Sequence, residues 1–284
     1  MKKQLNQMMT NLGASNSLNK LYCQECGKER KQTQIKHAFE DRLMWVPIAC
    51  ECAIKILEDI KNNEARTYKR NKINRILKLS SSYGELKTLT LSNYKDRNGN
   101  ETAKDEIIDA VNNFDERGKL GVFIFGETGN GKSHLTAAGG NELIKRGYSV
   151  AFMTEKDLLS RFNATKNFNN KESFYEIMEA CVNADLLIWD DFMSSQRLTG
   201  EEKDWIFQVV NGRERANKPI WATSNLTVQE FQNDQTALKL DDKGRTWWRL
   251  VGNMNCIFNK STNYRKVKAM ARVTGVTEDE YDLS

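Results

Sequence analysis

The stretch that decides the reading is GVFIFGETGNGKS, residues 121–133, where an apolar run leads straight into a loop carrying three glycines, a lysine and a serine. GVFIF has the length and composition of a buried strand. The loop has the spacing G-x-x-x-x-G-K-S from Gly126 to Ser133, and a helical pattern opens behind it at about residues 134–145. A polyphosphate needs several donors converging on it at short range. Gly126, Gly129 and Gly131 permit a tight turn whose backbone N–H groups, with those of Glu127, Thr128 and Asn130, point inward beside the positive end of the following helix. Lys132 is spaced to reach the β- and γ-phosphates of ATP as a point charge, and the Ser133 hydroxyl to take one position on Mg²⁺. The bland alternative is a glycine-rich turn; the complete pattern at a strand-to-helix junction argues against it.

Such a loop needs acids at the end of another central strand. LLIWDD, residues 186–191, supplies Asp190 and Asp191 after four apolar residues. Asp190 is expected to hold the Mg²⁺ shell, and Asp191 to polarise the attacking water or act as its base. Such pairs also end ordinary strands as solvated turns, so the weight comes from the combination with the loop. Asp in place of the more usual Glu at the second position weakens hydrolysis without abolishing it. Further short apolar runs, SVAFM (149–153), PIWAT (219–223) and MNCIF (254–258), alternate with helical patterns. That alternation predicts an α/β domain built on a parallel sheet covered on both faces.

Three segments separate by composition: a cysteine-bearing module at 1–53, a basic helical linker at 54–88 and an ATPase domain at 89–284. Between Ala53 and Lys78 stand eight basic residues against three acidic ones, within a chain of net charge +5. This reads either as a solvated face or as a contact for a partner or nucleic acid. The apolar runs are far short of the roughly 20 residues that cross a bilayer, and the N-terminus lacks a secretion signal's apolar core. A cytoplasmic protein without a membrane span is expected.

Four of the six cysteines fall between positions 23 and 52. Cys23-Gln-Glu-Cys26-Gly has the form of a metal knuckle, and Cys50-Glu-Cys52 is the candidate second half. One intervening residue is tight, so a turn or helix start is required there. A Cys₄ zinc site is the expectation, with His37 as spare ligand and a redox C-x-x-C pair as the alternative. Zinc would staple a module too small to hold itself on a core. Cys181 and Cys256 are expected to be buried thiols.

Across residues 89–268 these elements, together with the C-terminal block behind them, resemble the DnaC/DnaI-type replicative helicase loaders of the AAA+ superfamily, relatives of the transposition ATPase IstB and the initiator DnaA. In ATSNL (222–226) the resemblance makes Asn225 a polar sensor near the γ-phosphate, with Thr223 and Ser224 completing the signature; a plain helix cap is the alternative. In GRTWWRLVGNMNCIFNKSTNYRK (244–266) it makes Arg249 the arginine finger, given to a neighbouring subunit, and Arg265 the second sensor. Arg245, one helical turn earlier, is the competing finger. Trp247 and Trp248 read as core or interface aromatics.

In residues 155–178, where these relatives carry an extra helix near single-stranded DNA, Lys156, Arg161, Lys166, Phe162 and Phe168 are candidate contacts. An amphipathic helix burying Leu158, Leu159 and Phe162 explains most of that segment. The DnaI branch also carries an N-terminal zinc module. The resemblance implies an ATP-controlled loader of a hexameric replicative helicase that self-associates and engages single-stranded DNA. The rivals are an IstB-like transposition ATPase, an ATP-binding adaptor without significant hydrolysis and, more remotely, a small-molecule kinase.

Overall fold

The computed structural model describes residues 20–37, 41–79, 83–167, 170–194, 197–275 and 277. The chain divides into two compact units, Met1–Tyr68 and Lys69–Ser284. In the first, strands β1 (Gln32–Lys36) and β2 (Leu43–Pro47) pair antiparallel, Ile35 opposite Met44. Helix α1 (Glu51–Leu79) comes next and carries the boundary between the units. Among the described residues of this unit Met44 is the only buried hydrophobic side chain. Two short strands and part of one helix without a core need another source of stability.

The second unit runs α2 (Tyr83–Leu86), α3 (Glu101–Asn112), β3 (Gly121–Gly126), α4 (Lys132–Lys145), β4 (Val150–Thr154), α5 (Glu155–Ala164), α6 (Phe174–Asn183) and β5 (Leu186–Asp190). It continues through α7 (Gly200–Arg215), β6 (Ile220–Ser224), α8 (Val228–Gln232), α9 (Asp234–Leu238), α10 (Arg245–Val251), β7 (Met254–Asn259) and α11 (Tyr264–Thr274). The five strands form one parallel sheet in the order β4-β5-β6-β3-β7. Every residue of β3, β5 and β6 is buried, as strands covered on both faces must be. One core packs Ile107, Ala110, Leu135 and Leu143 of α3 and α4 against Val122, Ile124, Ile188 and Trp221. On the opposite face Leu158, Phe162, Ile177, Val209 and Trp247 pack against Phe123, Met153 and Trp189. The C-terminal ends of β3, β5 and β6 therefore share one edge of the sheet, where parallel α/β folds open a ligand crevice.

Two expectations need correction. Cys256 is exposed, because β7 is an edge strand and half of its residues face away from the core. In residues 155–178 the expected amphipathic helix is α5, which buries Leu158, Leu159 and Phe162 and ends at Ala164, and α6 starts at Phe174 behind a Ser173–Glu176 capping box. Phe162 is fully buried and unable to stack on a base, while Phe168 lies outside the described residues. Arg161 is ion-paired with Glu172 and Lys166 with Glu201, which leaves Lys156 exposed on this segment. Cys181 is buried as expected. So is Trp247, whereas Trp248 is half exposed.

Candidate nucleotide site and cysteine cluster

The loop after β3 closes on itself because its glycines take backbone angles closed to other residues. Gly129 has φ +73° and Gly131 φ +92°, the left-handed region, and a Cβ on Gly131 would meet the Tyr94 ring at 3.0 Å. The loop is held from β7. Asn130 Nδ2 donates to the Asn259 carbonyl at 3.1 Å, Asn259 Nδ2 returns a bond to the Asn130 carbonyl at 3.2 Å, and Tyr264 N–H donates to the Gly129 carbonyl at 2.9 Å.

Lys132 is 4% exposed and begins α4. Its ammonium donates to the carbonyls of Gly126 at 3.0 Å and Glu127 at 2.7 Å, and to the side-chain oxygens of Asn130 and Asn225, both at 3.1 Å. Burial pulls its pKa down to about 8, against the opposing pull of the Asp191 and Asp190 carboxylates. Ser133 Oγ donates to Asp190 Oδ1 at 2.7 Å, and Thr223 Oγ1 donates to the same oxygen at 2.5 Å. Burial raises the Asp190 carboxyl above its ordinary range, and the two hydroxyl bonds partly offset this. Asp191 accepts from Asn225 Nδ2 at 3.3 Å.

Loop residues 128–133, Asp190, Asp191, Asn225 and Arg265 line one cavity of about 450 Å³. Leu86, Leu89, His134, Phe152, Thr154 and Tyr264 complete its wall. Gly126 and Glu127 act behind it, through the carbonyls that hold Lys132. The arrangement fits a magnesium-bound triphosphate: a glycine cradle, a buried ammonium, a helix N-terminus, and a hydroxyl–carboxylate pair where a divalent ion binds.

Arg249 stands apart from this cavity. Its Nε lies 3.2 Å from Glu214 Oε2, it bonds Asn211, and its guanidinium lies over the Phe207 ring. Arg245 is 70% exposed and 3.7 Å from Asp241. Reading the chain alone missed the Asn130–Asn259 pair, whose members are 129 positions apart with no local pattern linking them. Leu86, within the segment read as a linker, lines the cavity as well.

In the first unit, the sulfurs of Cys23, Cys26, Cys50 and Cys52 all lie within 4.8 Å of one another. His37 is buried, and its ring is outside that group. Cys50 precedes α1 and Cys52 sits in its first turn, so the tight C-x-C spacing is met by a helix start. All six cysteines are free thiols. Sulfur separations of 3.2 Å for Cys23–Cys50 and 3.3 Å for Cys23–Cys52 are too long for a disulfide. They approach the about 3.8 Å edge of a tetrahedron of sulfurs about 2.3 Å from zinc. The Cys26 amide, with the Cys50 and Cys52 thiols, lowers the Cys23 pKa to about 6.

A five-stranded parallel sheet with this loop, acid pair and polar strand end defines a P-loop ATP-binding protein of the AAA+ class. The family described as IstB-like ATP binding protein matches residues 48–269, and the chain belongs to it. The replicative helicase loader DnaC of Escherichia coli (strain K12) is 34% identical over 166 residues, 58% of this chain and 62% of that protein. The chain thus spans about three fifths of the length of the curated loaders it matches. The chromosomal replication initiator DnaA of Aquifex aeolicus (strain VF5) is 30% identical over 169 residues, 55% of this chain and 41% of the initiator.

Among solved structures, AMPPCP-bound DnaA from Aquifex aeolicus superposes with a TM-score of 0.51 at 25% identity, covering 66% of this chain and 56% of that one. The DnaC helicase loader does so with a TM-score of 0.52 at 21% identity, covering 61% and 97%. At that identity the second likeness is one of fold. Among the described residues no helix is long and apolar enough to cross a membrane.

Proposed function

We propose that this chain is an ATP-dependent loader of a hexameric replicative DNA helicase, acting on single-stranded DNA when replication starts. The observation that carries this reading is the 34% identity to a replicative helicase loader. The four-sulfur cluster in the same chain supports it. Lys132 binds the β- and γ-phosphates, Ser133 and Asp190 hold Mg²⁺, and Asp191 with Asn225 orients the attacking water. Arg265 adds positive charge at the phosphates from the same chain. Arg249, away from its own cavity, serves a neighbouring copy, so hydrolysis is weak alone and rises on assembly. Zinc on Cys23, Cys26, Cys50 and Cys52 stabilises the module that grips the helicase, together with the basic helix α1. The domain divisions at 53 and 88 belong to this same reading.

Copurification with the host helicase in the ATP, ADP and nucleotide-free states tests it; no complex in any state would end it. The IstB relation favours a second reading, a transposition ATPase coating duplex DNA. Stimulation of a transposase in place of helicase binding would establish that one. The family match begins at residue 48 and leaves Cys23 and Cys26 outside, which favours the loader. An Asp191→Asn chain should lose about 10²-fold or more in turnover; equal background rates would point to an adaptor that holds ATP without hydrolysing it.

Two predictions concern Lys132. Truncating it (Lys132→Ala) should weaken ATP binding at least about 100-fold, since the loss of a charge-assisted bond to phosphate is joined by collapse of the buried polar cluster. Retained affinity in a fluorescent-nucleotide titration would remove the lysine from the site. The wild type should also take up protons on binding between about pH 7.5 and 9. The ammonium has a pKa of about 8 in the free protein, and the phosphates raise it on binding. Above pH 8 the free lysine is increasingly neutral, so affinity should fall by up to about tenfold per pH unit. Calorimetry in buffers of different ionisation enthalpy reads the proton directly, and a flat profile from pH 7 to 9.5 would contradict this.

A further inference from the structure

The turn after β5 takes a conformation its residues disfavour. Asp191 has φ +51° and Met193 φ +66°, and neither is glycine. Each such residue is strained and persists where its surroundings over-determine it. Here the restraints are identifiable. The Thr223 hydroxyl, fully buried on β6, accepts from the Asp191 amide at 3.0 Å and donates to Asp190 Oδ1 at 2.5 Å. The Thr223 carbonyl accepts from the Phe192 amide, and Ser224 Oγ donates to the Phe192 carbonyl, both at 2.7 Å. From the other side, fully buried Glu155 accepts the Met193 amide on Oε2 at 2.7 Å. The Phe192 ring is fully buried, its centroid 4.9 Å from that of Trp189.

From this geometry we propose that Thr223 and Glu155 are positioning residues that clamp the strained turn and so fix both acids. Thr223 acts on Asp190 through its side chain and on Asp191 through its backbone. Because Ser133 and Thr223 share Asp190 Oδ1, the carboxylate keeps one anchor when the serine hydroxyl turns to a metal ion. Glu155 does not line the cavity, and its carboxylate accepts from a backbone amide. This inference rests on the nucleotide-site reading and adds two residues, one from β6 and one from the start of α5.

Hydrogen exchange on the nucleotide-free, metal-free wild type gives the first test. The Asp191 and Met193 amides should exchange as slowly as those of the sheet interior, and exchange at loop rates would overturn the clamp without any variant. The second test compares Thr223→Val, of nearly the same shape, with Thr223→Ser, which restores the hydroxyl. The valine chain should bind ATP in EDTA within about twofold of wild type. The tightening conferred by Mg²⁺ should fall at least tenfold, and amide exchange at 191–194 should quicken at least tenfold. Serine should recover both. Glu155→Leu should quicken exchange at Met193. An unchanged Mg²⁺ effect in a folded valine variant, or failure of serine to rescue, would overturn the proposal. A wild type that gains affinity from Mg²⁺ yet shows no turnover would instead count against hydrolysis and leave the clamp standing.

Discussion

Stripping zinc with a strong chelator should unfold the Met1–Tyr68 unit and leave the melting transition of the Lys69–Ser284 unit in place. The expectation comes from how little else holds the first unit. Its hairpin pairs five residues with five, and its one buried hydrophobic residue among those described is Met44. A two-stranded hairpin is marginal in water. A structural zinc site contributes an apparent free energy of about 10–16 kcal/mol, which in an apo chain without a core is the folding free energy itself.

The four sulfurs come from a knuckle at 23–26 and from the start of α1 at 50–52, so one ion would tie together the segments on either side of the hairpin. Cys23→Ser or Cys26→Ser should drop bound zinc from one per chain to well below half. Amide protection at 32–36 and 43–47 should be lost with it, while ATP affinity stays within about twofold. Unchanged metal content, or protection that survives chelation, would return these cysteines to a redox role.

How far the fold and site are legible in the chain depends on the range of the interactions. The phosphate loop is legible because strand, loop and helix are contiguous, and each residue answers a local demand: apolar for the strand, glycine for the turn, lysine for the charge. The strands of LLIWD and PIWAT are legible for the same reason. Their order in the sheet is not, and Cys256 is misjudged on that account: an apolar run at a sheet edge looks like one at its centre. Residues 155–178 have an apolar spacing that suits one helix or two. The second helix opens at the Ser173–Glu176 capping box, an S-x-x-E pattern that is itself local in the chain. The Asn130–Asn259 pair and the Thr223 bond to Asp190 join distant segments, so no window along the chain contains both partners.

The finger assignment shows the same limit from the other side. Arg245 and Arg249 are one helical turn apart, and the chain alone ranks them only by resemblance. The fold distinguishes them by support. Arg249 is held by Glu214, Asn211 and the face of Phe207, while Arg245 is mostly exposed, near Asp241. A finger must be presented to a neighbouring copy in a fixed pose, since ordering a long side chain at the moment of assembly costs entropy. That favours Arg249.

Replacing Arg213 by methionine should destabilise the second unit by about 3–5 kcal/mol, the loss expected when several backbone carbonyls lose their shared buried donor at once. In the chain Arg213 looks like one more basic residue on an amphipathic helix. In the fold it is fully buried and works entirely on backbone. One terminal nitrogen donates to the carbonyls of Cys181 at 2.7 Å, Val182 at 3.3 Å and Ala184 at 3.0 Å; the other donates to Asp185 at 3.3 Å and Pro219 at 2.6 Å. The first two carbonyls belong to the last turn of α6, where helix oxygens lack partners and the helix dipole favours a cation. The others lie at the entrances to β5 and β6, so one guanidinium sets where both strands begin, and with them Asp190 and Thr223. Burial pulls its pKa down to about 9, which leaves it charged at neutral pH. Methionine keeps much of the side-chain volume and removes every donor, so the loss reports the bonds more than a cavity. For a unit of this size the melting midpoint should fall by about 10 °C. Arg213→Lys, with fewer donors on a narrower head, should fall between. A methionine variant melting within about 2 °C of wild type would mean that water reaches those carbonyls and that the arginine is dispensable.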